Sequence, residues 1–166
     1  MKNTGIIRRI DELGRIVIPK EIRDVLKINN GDELEIFTEK DCILLHKYSQ
    51  IRTQKDKSDQ LISILSPLVD GLILLGDKDK IISRGPYENQ NLSEKIKGIL
   101  LERKPYLSNQ LEEYTIGQNT IKGYFYFYPI LHNSIIKGVI ILIKTSIINK
   151  EDEIFINVLK NIIDNF

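Results

Sequence analysis

Two short β-branched runs near the start of the chain, Ile6 to Asp11 and Arg15 to Ile18, are interrupted by arginines. Their β-branched character and the glycine between them predict a pair of strands around a Glu12-Leu13-Gly14 turn. Pro19 then stands where a helix begins, and Ile22, Val25 and Leu26 recur at helical spacing. The turn cluster Asn29-Asn30-Gly31-Asp32 ends that helix. Glu33 to Thr38 and Cys42 to Tyr48 predict a second hairpin around Glu39-Lys40-Asp41. The pattern then changes at Ser49 to Asp59, a polar and charged stretch that suits a linker or the exposed start of a helix. The expected organisation is a small module over residues 1–50, a linker or start of a connecting helix over 51–58, and a second domain over 59–166.

In that second domain Leu61, Ile62, Ile64 and Leu65 predict a short helix stopped by Ser66-Pro67. Leu68 to Leu75 and Lys80 to Arg84 predict strands around Gly76 to Asp79, and Ser93 is the expected cap of a helix carrying Ile96, Ile99 and Leu100. The strongest strands are Ile121 to Leu131 and Ile135 to Thr145, joined by His132-Asn133-Ser134. Both are apolar on alternate faces, as central strands covered on both sides would be. Asn149, with Asp152 three residues on, opens a final helix. Its apolar stripe of Ile154, Phe155, Val158, Leu159, Ile162, Ile163 and Phe166 is wide for a helix covering one sheet face. These positions are therefore candidates for an oligomer contact, with Ile163 expected near the exposed end and the Leu61 to Leu65 helix completing an intermolecular bundle.

Composition changes this picture only locally. The 166 residues carry a net charge of +1, with 42% apolar and 28% charged residues, so the global charge of a strongly basic nucleic-acid binder is missing. The charge is segregated instead. Lys2, Arg8, Arg9, Arg15, Lys20, Arg23 and Lys27 dominate the first half of the opening module, and Asp32, Glu33, Glu35, Glu39 and Asp41 the second. A module of about fifty residues without disulfide or metal sits near the lower limit for a self-sufficient core, which predicts a dimer. With Cys42 as the single cysteine there is no internal disulfide. The longest apolar run, Gly138 to Ile143, is too short to span a bilayer, and the expected location is cytoplasmic.

The chemistry concentrates in the guanidinium groups of Arg8, Arg9, Arg15 and Arg23, which suit phosphate and guanine edges. The plainer reading makes them solvated charges or partners of Asp11 and Glu12. Lys2 is a weaker DNA-contacting candidate, and Lys20 is better read as surface. Thr4 to Arg23 together with Gly31 to Ile36 closely resembles the AbrB family of swapped-hairpin DNA-binding domains. The resemblance implies an α+β fold in which two chains interleave their hairpins into one β-barrel dimer, with basic residues at these positions on the DNA surface. One departure is Asp24, where the family often has a second basic residue.

The order of elements after residue 59 resembles a GAF-type sensor domain, a central antiparallel sheet with flanking helices. By that likeness Tyr124, Tyr126 and Tyr128 are candidates for lining a pocket for a small-molecule effector, although a plain aromatic core explains them as well. An enzyme is not expected: His46 and His132 stand in no metal or triad spacing, and no cofactor is implied. The resemblance implies a nucleoid-associated transcription regulator, activator and repressor, acting in late endospore development. It would bind double-stranded DNA as a homodimer that pairs into a homotetramer through the second domain. The alternative is an antitoxin of the MazE type, which binds a toxin and its own operator.

Overall fold

The computed structural model describes residues 5–165 and divides into two compact units, one ending at Tyr48 and the other starting at Ser49. In the first unit, α1 (Lys20–Leu26) is followed by β1 (Leu34–Glu39) and β2 (Cys42–Lys47). The two strands pair antiparallel from Leu34 opposite Lys47 to Glu39 opposite Cys42, around a tight turn in which Lys40 is left-handed, with φ 51°. Pro19 precedes the helix as its cap residue and accepts the amides of Ile22 and Arg23. The turn after α1 is held by one carboxylate. Asp32 Oδ2 accepts the Asn29 amide at 2.9 Å and lies 3.1 Å from Lys47 Nζ, which also donates to the Lys27 carbonyl at 2.9 Å.

The strands expected over Ile6 to Asp11 and Arg15 to Ile18 do not form within the chain. Only their closing turn is made, with the Asp11 amide donating to the Arg15 carbonyl at 3.0 Å, the Gly14 amide to the Asp11 carbonyl at 2.9 Å, and Gly14 at φ +74°. Beyond it the arms form no regular secondary structure and their apolar side chains are bare: Ile7 is 87% exposed, Val17 74% and Val25 on α1 79%. The sequence pattern is a strand pattern, but within one chain it has no sheet to join.

The second unit opens with α2 (Gln50–Thr53) and α3 (Lys55–Leu65), so residues 50–65 are almost entirely helical. Their charges are tied down. Arg52 Nε donates to Asp77 Oδ2 at 2.5 Å, and the buried Asp59 accepts Lys55 Nζ at 2.7 Å and the Arg84 amide at 2.9 Å. Ile51 is buried in the domain core, seated over Gly138, where a Cβ would run into both Ile51 Cδ1 and the Gly76 carbonyl oxygen.

A 3-10 turn at Ser66–Leu68 leads into β3 (Leu72–Gly76). There follow α4 (Glu94–Leu101), β4 (Tyr106–Leu107), β5 (Glu112–Ile116), β6 (Asn119–His132), β7 (Ile135–Lys144) and α5 (Lys150–Asp164). The sheet is antiparallel in the order β3-β7-β6-β4, with β5 also on β6. The strand expected over Lys80 to Arg84 is reduced to isolated bridges. Asp77 Oδ1 accepts the amides of both Asp79 and Lys80 at 2.7 Å, curling the chain into a turn where a ladder would begin.

The central pair, β6 and β7, explains the double-faced apolar pattern. Phe125, Phe127, Val139 and Ile141 pack on one side with Ile96 and Leu100 of α4. Tyr126, Ile130, Ile140 and Leu142 pack on the other with Ile51, Ile156, Leu159 and Ile163. Each such fully buried side chain contributes about 1.5–3 kcal/mol. The hairpin closes through Asn133 and Ser134, both at positive φ, and a bulge falls between Ile130 and Leu131.

Helix α5 starts at a full capping box, Asn149 accepting the Asp152 amide and Asp152 the Asn149 amide, each at 2.9 Å. The same Asp152 grips the buried Lys144 Nζ at 2.7 and 2.9 Å. Ser93 holds the cap position of α4, but its hydroxyl makes no cap bond. The sheet with helices on both faces is consistent with the expected GAF-like domain. No helix among the described residues is long and apolar enough to cross a membrane.

Candidate nucleic-acid interface

Three of the four arginines, Arg8, Arg9 and Arg15, are exposed. Arg8 and Arg9 lie on the first arm, and Arg8 Nη1 donates to the neighbouring Ile7 carbonyl, at 3.1 Å. Arg15 opens the second arm immediately after the Gly14 turn. Its Nε donates to Asp11 Oδ2 at 2.7 Å, and its side chain remains 71% exposed. Asp11 Oδ1 accepts the amides of Leu13 at 3.0 Å and Arg15 at 2.8 Å. The Arg15 amide first, then its guanidinium, hold the Asp11 carboxyl below the usual carboxylate range.

Arg23 is built differently. It is half-buried on α1, its Nη1 donates to Asn30 Oδ1 at 3.0 Å, and its Nε is buried without a hydrogen-bond partner. It ties the helix to the following turn more than it reaches outward. Asp24, one residue on, is exposed, as are Lys20 and Lys27. Lys2 lies outside the described residues.

The stripe on α5 divides by helical angle. Leu159 and Ile163, only 0% and 2% exposed, face the sheet together with Ile156, so they belong to their own core and Ile163 is not at the exposed end. Ile154 and Val158, four apart, face outward at 58% and 52% exposed, with Phe155 and Ile162 half-buried at the margins. Ile64 on α3 and Leu68 just after it are exposed as well.

Tyr124, Tyr126 and Tyr128 pack with the core cluster between the sheet and α5. Tyr126 is packed into the core, with Tyr128 edge-on at 5.8 Å and Tyr124 against the same cluster, while the Tyr128 hydroxyl donates to Asn157 Oδ1 at 3.1 Å. A cavity of about 100 Å³ lies elsewhere, between Ile51 and Gln54 of the opening helices, His132 at the hairpin end and Ile163 of α5.

The remaining titratable cluster is Tyr106, Glu112 and Tyr114, both hydroxyls donating to the one carboxylate at 2.8 and 2.5 Å. The bond to Glu112 raises the Tyr106 pKa, and burial raises that of Tyr114, so both stay protonated and neither is an activated nucleophile. His46 packs edge-on to Phe37 at 5.4 Å. Among the described residues no group of His, Cys, Asp and Glu could hold a metal ion.

The Arg15–Asp11 pair is the plainer reading the sequence offered, a carboxylate four residues before the arginine across a glycine turn. Sequence reasoning missed Asn30 as the partner of Arg23 and the Lys144–Asp152 pair, both of which depend on the fold.

Stage V sporulation protein T from Bacillus subtilis (strain 168) is 35% identical over 142 residues, spanning 74% of this chain and 80% of that protein. The chain belongs to its family. Transition state regulatory protein AbrB from the same organism is 39% identical over 94 residues, 55% of this chain and 97% of AbrB. The putative transition state regulator Abh is 50% identical over 48 residues, 29% of this chain and 52% of Abh. Residues 7–53 also match the antidote-toxin recognition family MazE, a family of bacterial antitoxins. The family relation to stage V sporulation protein T extends over most of the chain, whereas the MazE match covers the first unit and the short helix after it.

Proposed function

We propose that this protein is a DNA-binding transcription regulator that activates and represses genes in late endospore development, gripping double-stranded DNA through a dimer of its first unit. The single observation that carries this reading is that no described residue of the first unit is buried, while exposed β-branched side chains alternate there with exposed guanidiniums. A second copy that interleaves its arms would cover the apolar side chains and leave Arg8, Arg9 and Arg15 on a common surface. Arg23 contributes less directly, through the turn it holds. The names of the relatives, a sporulation protein and transition state regulators, support the process and a non-enzymatic role. The second unit assembles dimers into a tetramer through Ile154 and Val158 of α5. Such a regulator works at the nucleoid.

The antitoxin reading draws on the MazE match alone. An antitoxin of that type wraps its toxin with an unstructured tail, and the second unit here has a packed sheet instead. The test is a titration of the full chain against labelled duplex DNA across salt concentrations. The three outward-facing arginines of each chain give at most about six phosphate contacts per dimer and a logarithmic salt slope no steeper than roughly −5. Arg15→Ala is expected to abolish selective binding with the dimer intact. A slope near zero, or full affinity of that variant at moderate salt, overturns the proposal.

A further inference from the structure

A carboxylate stands in the middle of the cationic arms. Asp11 is fully committed there: Oδ1 holds the amides of Leu13 and Arg15, and Oδ2 holds Arg15 Nε. The turn needs the first oxygen, because it fixes the backbone on either side of the left-handed Gly14. It does not need a charge, since a neutral acceptor would serve the same two amides.

The charge acts on Arg15. The ion pair uses Nε, and the terminal nitrogens are the ones that grip a phosphate or a guanine edge. An exposed pair of this kind is weak, so DNA can compete for the guanidinium. A phosphate taken up by Arg15 arrives beside the Asp11 carboxylate and is repelled. A base edge carries no net charge and escapes that repulsion. Arg8, Arg9 and Glu12 are the other exposed charges on this segment, and none of them shares the pair.

We propose that Asp11 is a specificity-determining residue, which holds Arg15 in place and penalises its use on phosphate, so that Arg15 contributes to selective binding and little to unselective binding. The idea rests on the DNA-binding reading above. It follows the general rule that discrimination is built as much by repelling the wrong partner as by attracting the right one.

The test uses the full chain with two probes, a duplex enriched from a random pool by the unmodified protein and a shuffled duplex of the same composition. Asp11→Asn and Asp11→Ser both keep an acceptor for the turn and remove the charge. Affinity for the shuffled duplex is expected to rise about tenfold while that for the enriched duplex changes far less, so that selectivity falls. Unchanged or increased selectivity in variants that melt like the unmodified protein overturns the proposal. Loss of folding or of the dimer in both variants also overturns it, since Asp11 is then a turn residue only. If the unmodified protein enriches no duplex at all, the failure lies with the DNA-binding reading itself.

Discussion

The two units of this chain use similar side chains to opposite ends. In the second, β-branched and aromatic residues alternate along β6 and β7 and fill both faces of a sheet, with Phe125, Phe127, Ile140 and Ile141 all at 0% exposure. In the first, β-branched residues interrupted by arginines leave Ile7, Ile10, Ile16 and Val17 exposed. What differs is closure: the second unit finds both layers of its core within one chain, and the first carries only part of one. Hydrophobic pattern specifies which face is to be buried, but not whether the covering surface comes from the same molecule.

The largest test of this contrast is Ile16→Asp. If a second copy covers the arm, the charge is buried without a partner, costing several kcal/mol. The dimer and DNA binding are expected to be lost while the second unit keeps its own melting transition by calorimetry. A tetramer that survives the substitution, read by light scattering, breaks the comparison.

Next is Asp152→Ala in the second unit, which strands the buried Lys144 and removes half of the α5 capping box. A loss of about 3–5 kcal/mol is expected for that unit alone, by chemical denaturation. Lys144→Met combined with Asp152→Leu should recover much of it. An equal loss in both variants would show that the cap, and not the stranded charge, dominates.

A smaller effect on stability is expected from Val158→Glu, within about 0.5 kcal/mol, because Val158 is half exposed in its own unit. Its consequence is in assembly: light scattering should show dimers where the unmodified protein gives tetramers. Ile163→Glu cannot serve this purpose, since Ile163 is core.

The smallest effect is on alkaline titration. Burial, with help from Glu153 and Tyr128, pushes the Tyr126 pKa up to about 12 from an ordinary 10.0. The fold therefore favours the neutral phenol. That contribution is complete below pH 10 and is lost as pH rises through about 12. Tyr126→Phe should remove this step from the pH dependence of stability, followed by denaturant melts from pH 9 to 12.

Much of the second unit was legible because its signals are local. Asn149 and Asp152 form the capping box their spacing predicts, and the Asn133-Ser134 turn falls where polar residues interrupt two apolar runs. The failures came where a side chain bonded out of register with its local pattern. Asp77 spends its carboxylate on a turn and so removes the strand expected after Lys80. The stripe on α5 showed apolar breadth, but only the packed sheet decides that Leu159 and Ile163 turn inward while Ile154 and Val158 turn outward. In the first unit the arms and arginines were visible in the sequence. Closure of the arms by a second copy was an expectation from the module's size and the family resemblance, whereas the tie of Arg23 to Asn30 was not visible, since it depends on how the turn folds back.

Gly138 gives the second unit one point of particular sensitivity to drift. The surrounding residues of β7 are large and apolar, and one such residue can replace another if its neighbours adjust. At 138 even a methyl group would occupy the slot of Ile51, and on its other side stands the carbonyl of Gly76, backbone that cannot swing away. A lineage can therefore rewrite most of this strand gradually. A change at 138 instead dislodges Ile51, the first buried residue of the second unit.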